Sequence, residues 1–340
     1  MRYLSPFSLP DSPSTHPLDK KALMFQRRKL LAELELNADG LLYIKNRPFS
    51  KSDILDYFET LQDESVLLYH GEVGKDKILV AFLEEGQLPE GAVFAQADLY
   101  DDIQFLQWIS PYFYIAFTGY VKECLQKIDE RGLQTLLQNR LLLTDYDRER
   151  AWIQIGQLLE NNVSLLDHYH ERGAQSAAGL SISGISPFVT EPYIGMILML
   201  PKDPFAGVRD RYAFALMQVS IHIFNKLKGS RDMAQEWIEN ARLLAVSEAV
   251  AAGVDDKIRE MRKFRKKSNA RNIRFAVVLG IIVFKLLANQ NWGSSNNTPS
   301  FTRFDYINGK DTITIHDIKQ LDSVLHKRQS PDSIQTLQLH

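Results

Sequence analysis

KIREMRKFRKKSNARNIRFAVVLGIIVFKLLANQNW, residues 257–292, sets a dense basic block directly before an apolar run. Between Lys257 and Arg274 nine basic residues face one acid, Glu260, so the stretch carries +8 and the other residues together carry −10. The whole-chain net charge of −2 hides that asymmetry. A block of like charge on an otherwise acidic chain serves an anionic partner or forms a solvated face. The adjoining apolar run favours the anionic partner. Residues 275–284 are ten apolar side chains in succession, and Ile273 to Ala288 is 16 residues with only Arg274 and Lys285 charged. As a helix this run is about 24 Å long, short of a bilayer core of roughly 30 Å. Arg274 and Lys285 lie near its ends, where long side chains reach the headgroups, and Trp292 stands at an interfacial position. The pattern predicts one short transmembrane helix over 273–289, preceded by a basic juxtamembrane helix over 256–272. An interfacial helix and a buried core helix are the competing readings.

The residues expected at anionic headgroups are Lys263, Arg265, Lys266, Lys267, Arg271, Arg274, Lys285 and Trp292. Nucleic acid fits the block less well, because it contains a single aromatic, Phe264, and no recognition module. The positive-inside rule places the region before the span in the cytoplasm and the tail on the opposite side. The opening residues carry prolines and lack the apolar core of a signal peptide. One cysteine, Cys124, excludes an intramolecular disulfide framework and suits a reducing compartment.

Working outward, 340 residues with 45% hydrophobic and 24% charged side chains describe an average globular chain. That excludes a wholly disordered, collagen-like or disulfide-scaffold protein and predicts two folded units with extensions. The expected fold class is α+β: a predominantly helical cytoplasmic region, one short span near the C-terminus, and a small tail of β-hairpin and helix. Residues 1–17 read as a flexible tail, rich in Pro and Ser. Residues 18–100 read as a small α+β domain. It holds a helix to Leu36, a strand at 41–44, a turn at Asn46 to Pro48, and a helix started by Ser50 and Asp53, which match the capping-box spacing. Two paired strands are expected at 66–70 and 78–83, joined by a glycine-containing loop.

Residues 101–255 read as a mainly helical domain, with apolar stretches on either side of Pro111 and helices over 120–143, 147–172, 209–228 and 232–252. A Gly/Pro-rich insert at 173–207 is expected to be strand or loop, including a buried-strand-like run from Ile194 to Leu200. Gly253 separates the last helix from the basic block. Residues 290–300 form a polar linker. In 301–340, Asn308-Gly309 between alternating apolar residues spells a hairpin before a final helix.

Candidate chemistry is thin. Asp167-His168-Tyr169-His170-Glu171 is the densest group of metal-capable side chains. On a helix, positions i and i+2 point about 200° apart, so His168 and His170 cannot share an ion there, and zinc needs further ligands, with His222 the only distant recruit. Cys124 has Lys122, Glu123 and Lys127 nearby instead of a histidine base, which reads as core packing. Gly179 to Gly184 has the spacing of a phosphate loop, but Ile185-Ser186 stands where Lys-Ser/Thr is required. Asn296-Asn297-Thr298 matches a glycosylation triplet. No cofactor is implied.

These residues point to a non-catalytic, single-span membrane scaffold within a multiprotein assembly, contacting anionic lipid and other proteins, with a homo-oligomer compatible. The same sequence supports two alternatives. One is a metal-dependent enzyme with a site around His168, His170 and His222. The other is a soluble interaction protein in which 275–288 is a core helix.

Overall fold

In the computed structural model, which describes residues 2–9, 20–95, 97–175 and 182–264, capping chemistry sets most element boundaries. Helix α1 (Lys20–Leu36) leads into an antiparallel hairpin of β1 (Leu42–Ile44) and β2 (Arg47–Phe49). The turn falls on Lys45 and Asn46, slightly earlier than expected. Both residues take positive φ, 49° and 62°, the left-handed pair that a two-residue hairpin loop requires. Helix α2 (Lys51–Thr60) begins as the sequence predicts: Ser50 Oγ accepts from the Asp53 N–H, and the Asp53 carboxylate accepts from the Ser50 N–H.

The strands expected at 66–70 and 78–83 are helices instead, α3 (Glu64–Lys75) and α4 (Lys77–Glu85). Asp63 and Asp76 supply the reason. The Asp63 carboxylate accepts from the Ser65 N–H, and that of Asp76 from the N–H groups of Ile78 and Leu79. Leu79, Phe82 and Leu83 then bury at helical spacing. A run of five or six apolar residues has no periodicity of its own to separate strand from helix.

Helix α5 (Ile103–Lys127) continues through Pro111, which lies on its exposed side. Helices α6 (Glu130–Gln138) and α7 (Asp145–Gln175) come next. The strand-like run expected at 194–200 is also helical: α8 (Glu191–Met199) carries Pro192 in its first turn, where a missing N–H is harmless. Then come α9 (Lys202–Lys226), α10 (Arg231–Leu244) and α11, residues 248–264. Gly253 lies inside α11 and does not end a helix, and α11 already contains the first part of the basic block. The described residues are thus predominantly helical, with eleven α-helices, 79% helical residues and one small two-stranded hairpin. No helix among them is long and apolar enough to cross a membrane. The expected span at 273–289, the linker at 290–300 and the tail at 301–340 lie outside the described residues.

From α5 onward the helices stack as hairpins. Tyr114 meets Arg150 and Phe117 meets Trp152, Trp152 meets Phe205, and Glu160 meets Arg211, so α5, α7 and α9 run as neighbours. The shorter α6, α8 and α10 return between them and contact one another in sequence. This is the two-layer arrangement of helical repeat arrays, here without a repeated sequence. Helix α11 adds a further antiparallel partner, with Arg242 on Asp255 and Arg262 on Glu239.

One large apolar cluster runs from Tyr3 through α3–α11 to Met261, and a smaller one joins Leu4 and Leu9 to α1, the hairpin, α2 and Leu61. Residues 3–9 therefore depart from the flexible tail expected over 1–17. Tyr3 is fully buried, with its hydroxyl 2.9 Å from His70 Nδ1, and Glu84, 1% exposed, accepts from the Ser5 N–H, Ser8 Oγ and Lys45 Nζ. The segment bridges both clusters, and burying Tyr3 and two leucines contributes more than the Pro/Ser composition suggests.

Candidate interaction face

Because α5, α7 and α9 lie side by side, their outer surfaces form a ridge with a groove on each side of α7. The α7/α9 groove encloses about 590 Å³. Trp152 and Val208, both nearly buried, form its floor, and Gly156 and Gly207 keep its walls low. Neither glycine is needed for backbone conformation: a Cβ at Gly156 would make an ordinary 3.9 Å contact with Phe205, and one at Gly207 would meet nothing within 4 Å. The rim carries mixed charge, with Arg148 paired to Asp145 and Arg211 paired to Glu160. The α5/α7 groove, about 260 Å³, is lined mostly by Thr118, Lys122, Gln154, Gln157 and Asn161.

Apolar side chains stand out along the ridge. Tyr146 is 70% exposed, Ile153 53% and Phe214 50%. Tyr146 and Ile153 lie two turns apart and share one face of α7. The Arg150 guanidinium sits 4.6 Å from the Tyr114 ring centre and 5.4 Å from that of Tyr146, and it bonds Asp147 at 3.0 Å. Side chains of comparable exposure also occur outside this face, at Phe25 and Leu36 for example; what this face adds is two grooves and a rim of paired charges.

The histidines separate. His168 is exposed, whereas His170 is half-buried and faces His222 on α9 at a ring-centroid distance of 5.8 Å. Among the described residues no group of three or more His, Cys, Asp or Glu side chains is placed to hold a metal ion. The three-histidine arrangement therefore does not form. Cys124 is buried in the large cluster, as its sequence context suggests, and burial with the nearby Asp129 charge pushes its thiol up to about 12, which leaves no thiolate at neutral pH. His70 is held neutral by burial, which lowers it to about 3.

Of the residues expected at headgroups, Lys263 is exposed in the last turn of α11. Arg265, Lys266, Lys267, Arg271, Arg274, Lys285 and Trp292 lie outside the described residues. So do Gly179 of the loop at 179–184 and the Asn296 triplet. Upstream of Lys263, Lys257 pairs with Glu260, Arg259 with Asp256 and Arg262 with Glu239. These three side chains are ion-paired at the solvated surface of α11. The grooves beside α7 were not evident from the sequence, because they exist only through the pairing of helices about thirty-five to fifty residues apart.

No family model, no curated protein and no solved structure matches the chain.

Proposed function

We propose that the protein is a non-catalytic, single-span membrane scaffold: its helical body presents the α7 ridge to a partner protein on the cytoplasmic side, and the segment after α11 anchors it. The observation that carries this reading is how α11 joins the body. Val254, Ile258 and Met261 are buried in the large cluster. Phe264 lies 5.8 Å from Phe224, and the Arg231 guanidinium sits 5.2 Å from each ring. The packed body therefore extends to residue 264, immediately before Arg265-Lys266-Lys267, and eight residues separate it from the run that starts at Ile273. With Lys257, Arg259 and Arg262 engaged in ion pairs, the charge that reaches anionic headgroups comes from Lys263, Arg265, Lys266, Lys267 and Arg271. Each contact contributes about 1 kcal/mol, and Arg274, Lys285 and Trp292 border the span.

Replacing Lys263, Arg265, Lys266, Lys267 and Arg271 together by Gln tests the assignment. In sealed vesicles carrying the unmodified chain, protease added from the cytoplasmic side should digest the body and spare the tail. The five-residue variant should give mixed orientation or fall off the membrane. Unchanged orientation and retention would remove these residues from the role given to them.

A further inference from the structure

His170 and His222 converge near the C-terminal ends of two closely packed helices, with ring centroids 5.8 Å apart and planes 87° to each other. With metal–nitrogen bonds of about 2.1 Å, two imidazoles on one ion hold their centroids roughly 5–6 Å apart. His170 Nδ1 is shielded from solvent and has no hydrogen-bond partner. A buried polar nitrogen left in that state is costly and calls for an explanation. His222, on α9, is half-buried and presents its ring edge-to-face to His170. Imidazole nitrogens are common ligands of transition metals. Asp167 stands one turn before His170 on the same face of α7.

We infer that His170 and His222 form a two-imidazole site for a divalent transition-metal ion of the zinc, copper or nickel class, with water or a partner's side chain completing the coordination. Imidazole selects these ions over calcium or magnesium, which take oxygen ligands. His168, about 200° around the helix from His170, takes no part. A bound ion would tie the ends of α7 and α9 together, at one end of the layer that carries the grooves.

The test is equilibrium dialysis of the full-length chain, without a histidine tag and in detergent, against zinc alone, with calcium in excess as competitor. One zinc should bind per chain and resist calcium. Outer-shell changes at metal sites cost about 10–100-fold in affinity, so losing a ligand in His170→Gln or His222→Gln should weaken binding at least about tenfold. His168→Gln should leave it unchanged. Zinc should also raise the thermal midpoint of the unmodified chain and of His168→Gln, but not of the other two variants. Absence of zinc binding, or binding that survives both His170→Gln and His222→Gln, would overturn the site. A loss as large for His168→Gln would do so as well.

Discussion

Tyr3 and His70 illustrate how much a single buried pair can hold in this protein. The Tyr3 ring is enclosed by His70, Trp108 and Tyr112, and its hydroxyl meets His70 Nδ1. Burial lowers His70 to about 3 in the folded state, against an ordinary value near 6.5. The unfolded chain therefore takes up a proton that the folded one refuses throughout that window. The stability His70 contributes is complete above pH 6.5 and is lost as the pH falls toward 3, with a limiting slope of about 1.4 kcal/mol per pH unit. Urea midpoints measured between about pH 7 and pH 4 should fall more steeply for the unmodified protein than for His70→Gln. Parallel pH profiles for the two would refute the assignment. None of this was legible in residues 1–17, where Pro and Ser suggest a free tail. The partners of Tyr3 lie about seventy to a hundred residues away, and composition carries no record of them. Cys124 is the opposite case. Its helix offered no base, and it is buried as packing.

Among the elements, α11 depends on a contact from another helix. The Asp210 carboxylate, on α9, accepts from the N–H of Val246 at 2.7 Å and of Ser247 at 3.1 Å, just before α11 begins. Burial alone would raise Asp210, but these hydrogen bonds outweigh it and hold the carboxyl below its ordinary range. Ser247 caps α11 itself, its hydroxyl accepting from the Val250 N–H; Asp210 ties the segment that enters α11 to α9, and a hydrogen bond of this kind contributes about 1 kcal/mol. Asp210→Ala should destabilise the body by that amount and speed amide exchange over residues 248–264, with Asp210→Asn intermediate. Exchange across α11 that is the same in all three proteins would show that the contact does not hold the helix. The sequence disclosed those elements whose signals are local: α1, β1 and the Ser50–Asp53 box of α2. It misread 66–70, 78–83 and 194–200, because short apolar runs suit a buried strand as well as a buried helix turn. There Asp63, Asp76 and Pro192 were the residues that mattered. The Gly253 boundary failed for a related reason: tertiary packing of α11 outweighs the local cost of one glycine.

For the whole molecule, stacked helix hairpins, two grooves beside α7 and the packing of α11 into the core are the features on which the proposed scaffold role rests. The enzyme alternative loses its three-histidine site, and the pair that remains has a separate test. The proposed anchor requires that Ile273 to Ala288 insert into a bilayer. Alkaline carbonate extraction of membranes from cells expressing the full-length chain measures this most directly. The account predicts that the protein stays in the membrane pellet, and that Leu279→Arg, which places a charge in the middle of the apolar run, releases it. Release of the unmodified chain into the supernatant would contradict a membrane-spanning anchor and leave the apolar run to an interfacial or core role.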